Sequence, residues 1–164
     1  PFYKFIIYGK EFKYDYGQPV KFNSDGIALT PNGKYVYYKP LTDDRLYRIQ
    51  TKYLKNFSLS TSQIALHVEF VGHFTTTDGM IFDKKGNLYL GELENSRIIR
   101  IDENGKVTTV IKDKRLIWPD SYAVTDDGYL YISCSQIQKQ PEYNTSMHLP
   151  RTPYTIYRLK LPGY

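Results

Sequence analysis

Cysteine is nearly missing from this sequence. Cys134 stands alone among 164 residues, so no disulfide can close within the chain and a disulfide-stapled scaffold is excluded, while either redox compartment stays open. No apolar stretch approaches the roughly 18–20 residues that span a bilayer as a helix. Charge of one sign is not concentrated either. The 22 Lys and Arg are scattered among 17 Asp and Glu, for a net charge of +5, with no basic block and no aromatic–basic interleaving of the kind that tracks a nucleic-acid strand. Nucleic acid is not an expected partner, and no membrane span is expected. Histidine is scarce, at His67, His73 and His148, and no pair has a metal-ligand spacing such as His-x-x-x-His. Nucleophile elbow, P-loop and dinucleotide fingerprint are all absent. Pro1-Phe2-Tyr3 carries neither an initiator Met nor a signal peptide, so the true N-terminus is expected upstream and the compartment stays unknown from the residues alone.

What is abundant is tyrosine, 17 residues, alongside eight Phe. Aromatic side chains suit pleated, half-buried surfaces, which leans the chain towards β. Three segments then repeat. Asp25-Gly26-Ile27-Ala28-Leu29 runs into Thr30-Pro31-Asn32-Gly33 and Lys34-Tyr35-Val36-Tyr37-Tyr38. Asp78-Gly79-Met80-Ile81-Phe82 runs into Asp83-Lys84-Lys85-Gly86 and Asn87-Leu88-Tyr89-Leu90. Asp120-Ser121-Tyr122-Ala123-Val124 runs into Thr125-Asp126-Asp127-Gly128 and Tyr129-Leu130-Tyr131-Ile132. Each reads as an apolar strand, a polar turn whose Gly supplies the left-handed position, and a returning strand.

A third strand follows in each repeat, at Leu46-Tyr47-Arg48-Ile49, Ile98-Ile99-Arg100-Ile101 and Ile156-Tyr157-Arg158-Leu159, and a fourth follows the second repeat at Val107-Thr108-Thr109-Val110. The leading Asp residues lie 53 and then 42 positions apart, a spacing that fits four-stranded propeller blades. The expected fold is all-β, about three to three and a half β-propeller blades, half of a six-bladed ring. Approximate blades are 22–75, 76–117 and 118–164, with 1–21, notably Phe5-Ile6-Ile7-Tyr8, part of a preceding blade. A short helix is expected around Thr51-Lys52-Tyr53-Leu54, and a long loop over 136–152. Fewer than about four blades do not make a ring, and a free half would leave blade faces uncovered. Missing N-terminal blades, or a homodimer of two such chains closing one six-bladed ring, would cover them.

The same segments resemble a family. Asp25 to Gly33 followed by Tyr37-Tyr38-Lys39-Pro40-Leu41, together with Asp78-Gly79-Met80, Trp118-Pro119-Asp120, Gln136-Ile137 with Gln140-Pro141, and Arg151-Thr152-Pro153-Tyr154, resemble the yellow and major royal jelly proteins. The bacterial members of that family are labelled dopachrome-tautomerase-related. The resemblance runs from about Asp25 to Leu161 and implies the C-terminal half of a six-bladed propeller, secreted or periplasmic. A more distant resemblance is to the gluconolactonase and regucalcin propellers. There the Asp of a Pro-Asp-Gly-Met motif holds a divalent metal, and Asp78 matches it. Asp25 falls where those proteins place a ligand Asn, and the Glu ligand of their first blade has no counterpart in this chain.

Candidate site residues follow. The start of each inner strand faces the axis of a propeller, which would bring Asp25, Asp78 and Asp120 together. Such a cluster repels itself unless a cation neutralises it or protons are retained, and oxygen ligands suit Ca²⁺ or Mg²⁺; Asp78 and Asp25 are the metal candidates. The competing reading is that an Asp before Gly caps its own turn. Trp118 and Tyr122 are candidates to line a pocket for an aromatic ligand, with core packing as the default. Glu92 and Glu94 read as a solvated loop near the channel mouth. Arg48, Arg100 and Arg158 read as a repeat feature that packs its stems at blade edges. Cys134 reads as a buried, inert thiol, and His148 as an occupant of the third-repeat loop. Four functions are compatible with these residues: a small-molecule binding protein with its ligand in the central channel, for which the resemblance implies aromatic amines; a metal-dependent lactonase-like hydrolase; a dopachrome-type tautomerase; and a non-catalytic interaction propeller.

Overall fold

The computed structural model describes residues 3–143 and 149–164. An N-terminal ribbon pairs β1 (Ile6–Ile7) with β2 (Lys10–Glu11). The first large sheet is a meander of β3 (Ser24–Leu29), β4 (Tyr35–Pro40), β5 (Arg45–Gln50) and β6 (Glu69–His73), with α1 (Thr51–Leu54) and α2 (Thr61–Ala65) between the last two strands. The second is β7 (Met80–Phe82), β8 (Leu88–Glu92), β9 (Arg97–Ile101) and β10 (Val107–Lys112). The third is β11 (Pro119–Val124), β12 (Tyr129–Cys134) and β13 (Thr155–Lys160), with a 3₁₀ turn at Ile137–Lys139. Every neighbouring pair is antiparallel and consecutive. Strands β3, β7 and β11 lie side by side. The sheets are therefore propeller blades standing around a common inner edge, as the repeat predicts. The helix α1 falls where expected; α2, closed by a Ser60–Gln63 capping box, and β6 are additions to the sequence reading.

Turn chemistry explains the hairpins. The side chain that opens each turn accepts backbone N–H groups from its far end. Thr30 Oγ1 accepts from Tyr35 N at 3.0 Å, Asp83 Oδ1 from both Lys85 N and Asn87 N at 2.9 Å, and Thr125 Oγ1 from Tyr129 N at 3.1 Å. The turns are thus capped by Thr30, Asp83 and Thr125, which leaves the leading Asp residues free of that duty.

Alternation then fixes the two faces of each blade. The face of the second blade towards the first presents Met80, Leu88, Leu90 and Ile99, which pack on Ala28 and Leu46. Its opposite face presents Tyr89 and Ile98, which pack on Leu130 and Ile132 of the third blade. Leu90, Ile98 and Leu130 are fully buried, each contributing roughly 1.5–3 kcal/mol. The recurrent arginines sit directly opposite tyrosines, in the pairs Tyr37–Arg48, Tyr89–Arg100 and Tyr131–Arg158. Two of the guanidinium groups lie over a ring of the neighbouring strand, Arg48 over Tyr35 at 4.6 Å and Arg158 over Tyr129 at 5.1 Å from the centroid.

The N-terminal segment is placed differently from a blade. Phe5, Ile7, Phe12 and Val20 pack on Leu41, Leu93, Trp118 and Tyr143, so the segment crosses one end of all three blades. Glu94 fastens it, accepting from Tyr3 Oη and Ile6 N, both at 2.7 Å. The outward face of the first blade stays open, with Ile27 66% and Leu29 56% exposed.

Close approach between inner strands depends on two glycines. A β-carbon on Gly79 would lie 2.1 Å from the Asp120 carbonyl oxygen, and one on Gly26 2.7 Å from that of Asp78. Gly79→Ala is expected to cost at least roughly 2 kcal/mol, because the obstacle is backbone and cannot swing away. Gly86→Ala, in open space but at φ +84°, should cost about 1 kcal/mol from backbone strain alone. Urea unfolding of both variants checks the order; equal losses would remove the steric argument.

Candidate functional site

Two of the three leading carboxylates, Asp25 and Asp120, are delivered to the inner edge by irregular pairing. In β3 the register steps from Ser24↔Pro40 to Gly26↔Lys39, leaving Asp25 as an extra residue. In β11 it steps from Pro119↔Cys134 to Tyr122↔Ile132, with Asp120 inside the step. A bulge re-aims a side chain without ending the strand. Asp78 lies just before β7, and Gly79 N donates to the Asp120 carbonyl at 2.9 Å, so the two aspartates are neighbours through the backbone. Alternation in the sequence locates the strands but carries no sign of these bulges.

Asp78 is the buried member, 9% exposed. Trp118 Nε1 donates to its Oδ2 at 2.6 Å. Burial pushes the carboxyl up to about 7, the indole bond pulls the other way, and the charges of Asp120 and Asp25 add to the rise. Asp25 is exposed, and its carboxyl is raised by partial burial and then by Asp120. Asp120 is half-buried and accepts from Ser121 Oγ at 2.7 Å. None of the three caps its own turn. The cluster is a focus of negative potential, one carboxyl of which stays half-protonated near neutrality chiefly because it is buried, with smaller contributions from the charges of the other two.

Trp118 holds this arrangement from the third blade. Its backbone is left-handed at φ +58°, an uncommon conformation for a bulky residue, and it turns the indole back towards the second blade. The ring is 1% exposed, with Phe12 at 5.5 Å and Phe5 at 6.1 Å between centroids. The N-terminal segment therefore seals it, and Trp118 reaches the inner edge only through its N–H. Tyr122 packs between the second and third blades with its hydroxyl over Gly91; burial raises that hydroxyl well above its ordinary range. These two rings form packing behind the carboxylates, and no open aromatic wall.

Glu92 and Glu94 are not a solvated loop. Glu92 is 8% exposed within β8 and ion-paired with Arg97, and Glu94 binds the N-terminal segment. His73 pairs with Asp44 at 2.8 Å on an outer strand, and His67 stacks on Tyr53 at 3.6 Å. His148 lies outside the described residues. Cys134 is 5% exposed, its thiol pushed up to about 11 by burial. Among the described residues no group of three or more His, Cys, Asp or Glu side chains is arranged to hold a metal ion. Asp25, Asp78 and Asp120 have the right donor type for a hard cation without the closeness.

The chain matches the family described as major royal jelly protein over residues 1–161. No curated protein sequence matches it. Among solved structures it is similar to a gluconolactonase from Xanthomonas campestris, with a TM-score of 0.63 at 17% identity, covering 94% of this chain and 48% of that one. It is also similar to a putative gluconolactonase, TM-score 0.59 at 15% identity, covering 96% and 51%. A luciferin-regenerating enzyme gives 0.59 at 18%, covering 86% and 46%. At these identities the likeness is one of fold. The chain spans about half the length of these structures.

Two variants test the arrangement around Asp78. As the pH climbs from about 4 to 7 the unfolded chain releases this proton before the folded one does, so folding loses stability across that window and carries a buried charge above it. Asp78→Asn keeps an acceptor for the indole and should be more stable than the native chain at pH 8, by on the order of 2–4 kcal/mol, with the gap closing near pH 4. Trp118→Phe should cost about 1–3 kcal/mol and move the carboxyl titration above 7. Denaturant unfolding as a function of pH reads both; a gap that does not change with pH would contradict the assignment.

Proposed function

Because the chain belongs to the major royal jelly protein family, we propose that it binds a small cationic molecule, an aromatic amine, where Asp25, Asp78 and Asp120 meet at the inner edge of its blades. The observation that carries this reading is the Asp78 carboxyl, buried, held by Trp118 Nε1 and pushed to about 7 by its surroundings. An ammonium group placed among three carboxylates offsets their repulsion and takes over the role of the retained proton. Proton and ligand then compete for the same charge.

A metal-dependent lactonase-like reading rests on the same carboxylates, with Asp78 and Asp25 binding Ca²⁺ or Mg²⁺. A bound cation there would supply Lewis-acid chemistry, but these side chains do not form a coordination set by themselves, and no step is derived through it. The tautomerase and interaction-propeller readings have no residue in this site that favours them.

Calorimetric titration with tyramine, and separately with Ca²⁺, tests the choice. Tyramine should bind roughly tenfold more tightly at pH 8 than at pH 6, since one carboxyl titrating near 7 must be ionised. Asp78→Asn should remove that pH dependence. Tyramine binding that ignores both pH and Asp78→Asn would sink the amine reading, and binding of Ca²⁺ alone would replace it with the metal reading.

A complete channel needs more blades than this chain supplies. We infer that the open face of the first blade takes a further blade, which for this chain in isolation is the third blade of a second copy. The pairings Ile27↔Tyr38 and Leu29↔Val36 repeat the pattern of Met80↔Leu90 and Phe82↔Leu88, and of Tyr122↔Ile132 and Val124↔Leu130. The latter faces are covered by a neighbouring blade, and only the first is bare. Light scattering should give a mass near twice 19.2 kDa. A stable monomer would exclude the paired ring.

A further inference from the structure

A second cleft, of about 340 Å³, opens beside the third blade between the β10–β11 connection and the stretch leading into β13. It shares no lining residue with the carboxylate cluster, and its electrostatics are the reverse. Lys114, Arg115 and Arg151 line it, with Tyr157 as an aromatic wall. Arg115 is neutralised by Asp113, with Nη2 to Oδ2 at 2.6 Å. Lys114 and the Arg151 guanidinium have no carboxylate partner among the described residues. A further cation, Lys139, lies close enough to Arg151 that burial and then this like charge lower its ammonium below the usual lysine range.

A buried side chain fixes the backbone that carries one of these cations and the ammonium of another. Gln136 is 8% exposed. Its Nε2 donates to the Arg151 carbonyl at 2.8 Å, and its Oε1 accepts from Arg151 N at 3.2 Å and from Lys139 Nζ at 3.2 Å. One amide therefore pins the Arg151 backbone from both sides and holds a second cation beside it. Gln136 does this in a left-handed conformation, φ +55°, which is costly for a residue other than Gly and persists only where the surroundings enforce it. Gathering like charges around a cleft is unfavourable without a counter-charge, and a guanidinium matches planar or tetrahedral oxyanions.

We propose that this cleft binds a small organic anion, its carboxylate or phosphate held by Arg151 and Lys114 and its apolar body against Tyr157. A volume of about 340 Å³ is at the small end of ligand pockets, so the ligand is a single-ring or short-chain acid or monophosphate. Gln136 is a positioning residue that acts through Arg151.

The test is titration of the full chain with benzoate, inorganic phosphate and neutral benzyl alcohol, followed by backbone amide shifts and calorimetry. At least one of the two anions should saturate with shifts centred on the cleft, while benzyl alcohol should not. Benzoate alone would assign a carboxylate, and phosphate alone a phosphate. Arg151→Ala should weaken binding roughly tenfold or more, the worth of a charge-assisted hydrogen bond. Gln136→Ala should weaken it without removing a charge, and Lys106→Ala, on a remote turn, should leave it unchanged. If Arg151→Ala does not fold, Lys114→Glu on its exposed turn must give the loss instead. Failure of both anions to saturate, or an equal loss with Lys106→Ala, would overturn the proposal.

Discussion

The carbonyl oxygens of Asp78 and Asp120 occupy the space where Gly26 and Gly79 would otherwise carry a β-carbon. Most of the architecture depends on this contact. Inner strands that approach so closely can share one hydrogen bond between blades, Gly79 N to the Asp120 carbonyl, and can bring the aspartate preceding each glycine to the same edge. Moving the strands apart would lose the interlocked cores, Ala28 and Leu46 against Leu90 and Ile99, and Tyr89 and Ile98 against Leu130 and Ile132. A backbone fit of this kind has no soft side chain to absorb an error. The register of the blades and the position of the carboxylates are therefore one constraint.

That geometry carries an electrostatic penalty, and the structure concentrates it on one residue. Asp25 is exposed and Asp120 half-buried, so water screens them. Asp78 is enclosed and shares its charge with the Trp118 N–H. The indole is in turn roofed by Phe5 and Phe12 of the N-terminal segment, which Glu94 ties down. A chain of contacts thus runs from the first residues of the chain, over the ends of three blades, to one carboxyl at the inner edge. A binding site that needs a buried, fixed negative charge has such a support behind it.

Positive charge is handled in the opposite way. Of the repeated arginines, Arg48 lies over the Tyr35 ring and Arg158 over that of Tyr129. Lys39, fully buried, directs its ammonium to the carbonyls of Pro40 and Asp43, both at 2.6 Å, and burial lowers it to about 8. Arg48, Arg158 and Lys39 each have such a partner within their own sheet. Around Arg151 the cations instead face a common cleft, where Lys114 and the Arg151 guanidinium have no carboxylate partner among the described residues.

The blades were legible in the sequence because a hairpin is a local object. Alternation, a turn-opening Thr or Asp and a Gly eight positions after each leading Asp are all written within about fifteen residues, and so is α1. Asp25, Asp78 and Asp120 could be named for the same reason, since a repeat places equivalent residues equivalently. What lay beyond reach joins residues distant in the chain or turns on backbone irregularity. Trp118 bonds to Asp78 across 40 positions, the bulges at Asp25 and Asp120 leave the residue pattern unchanged, and Glu92 and Glu94, on either side of Leu93, take buried and tethering roles that composition cannot distinguish from solvation. The N-terminal segment reads as strand, but packing alone sends it across the blade ends. Residue order determined the repeat and its chemistry; burial, which only the assembled blades create, decided which aspartate carries the strained charge.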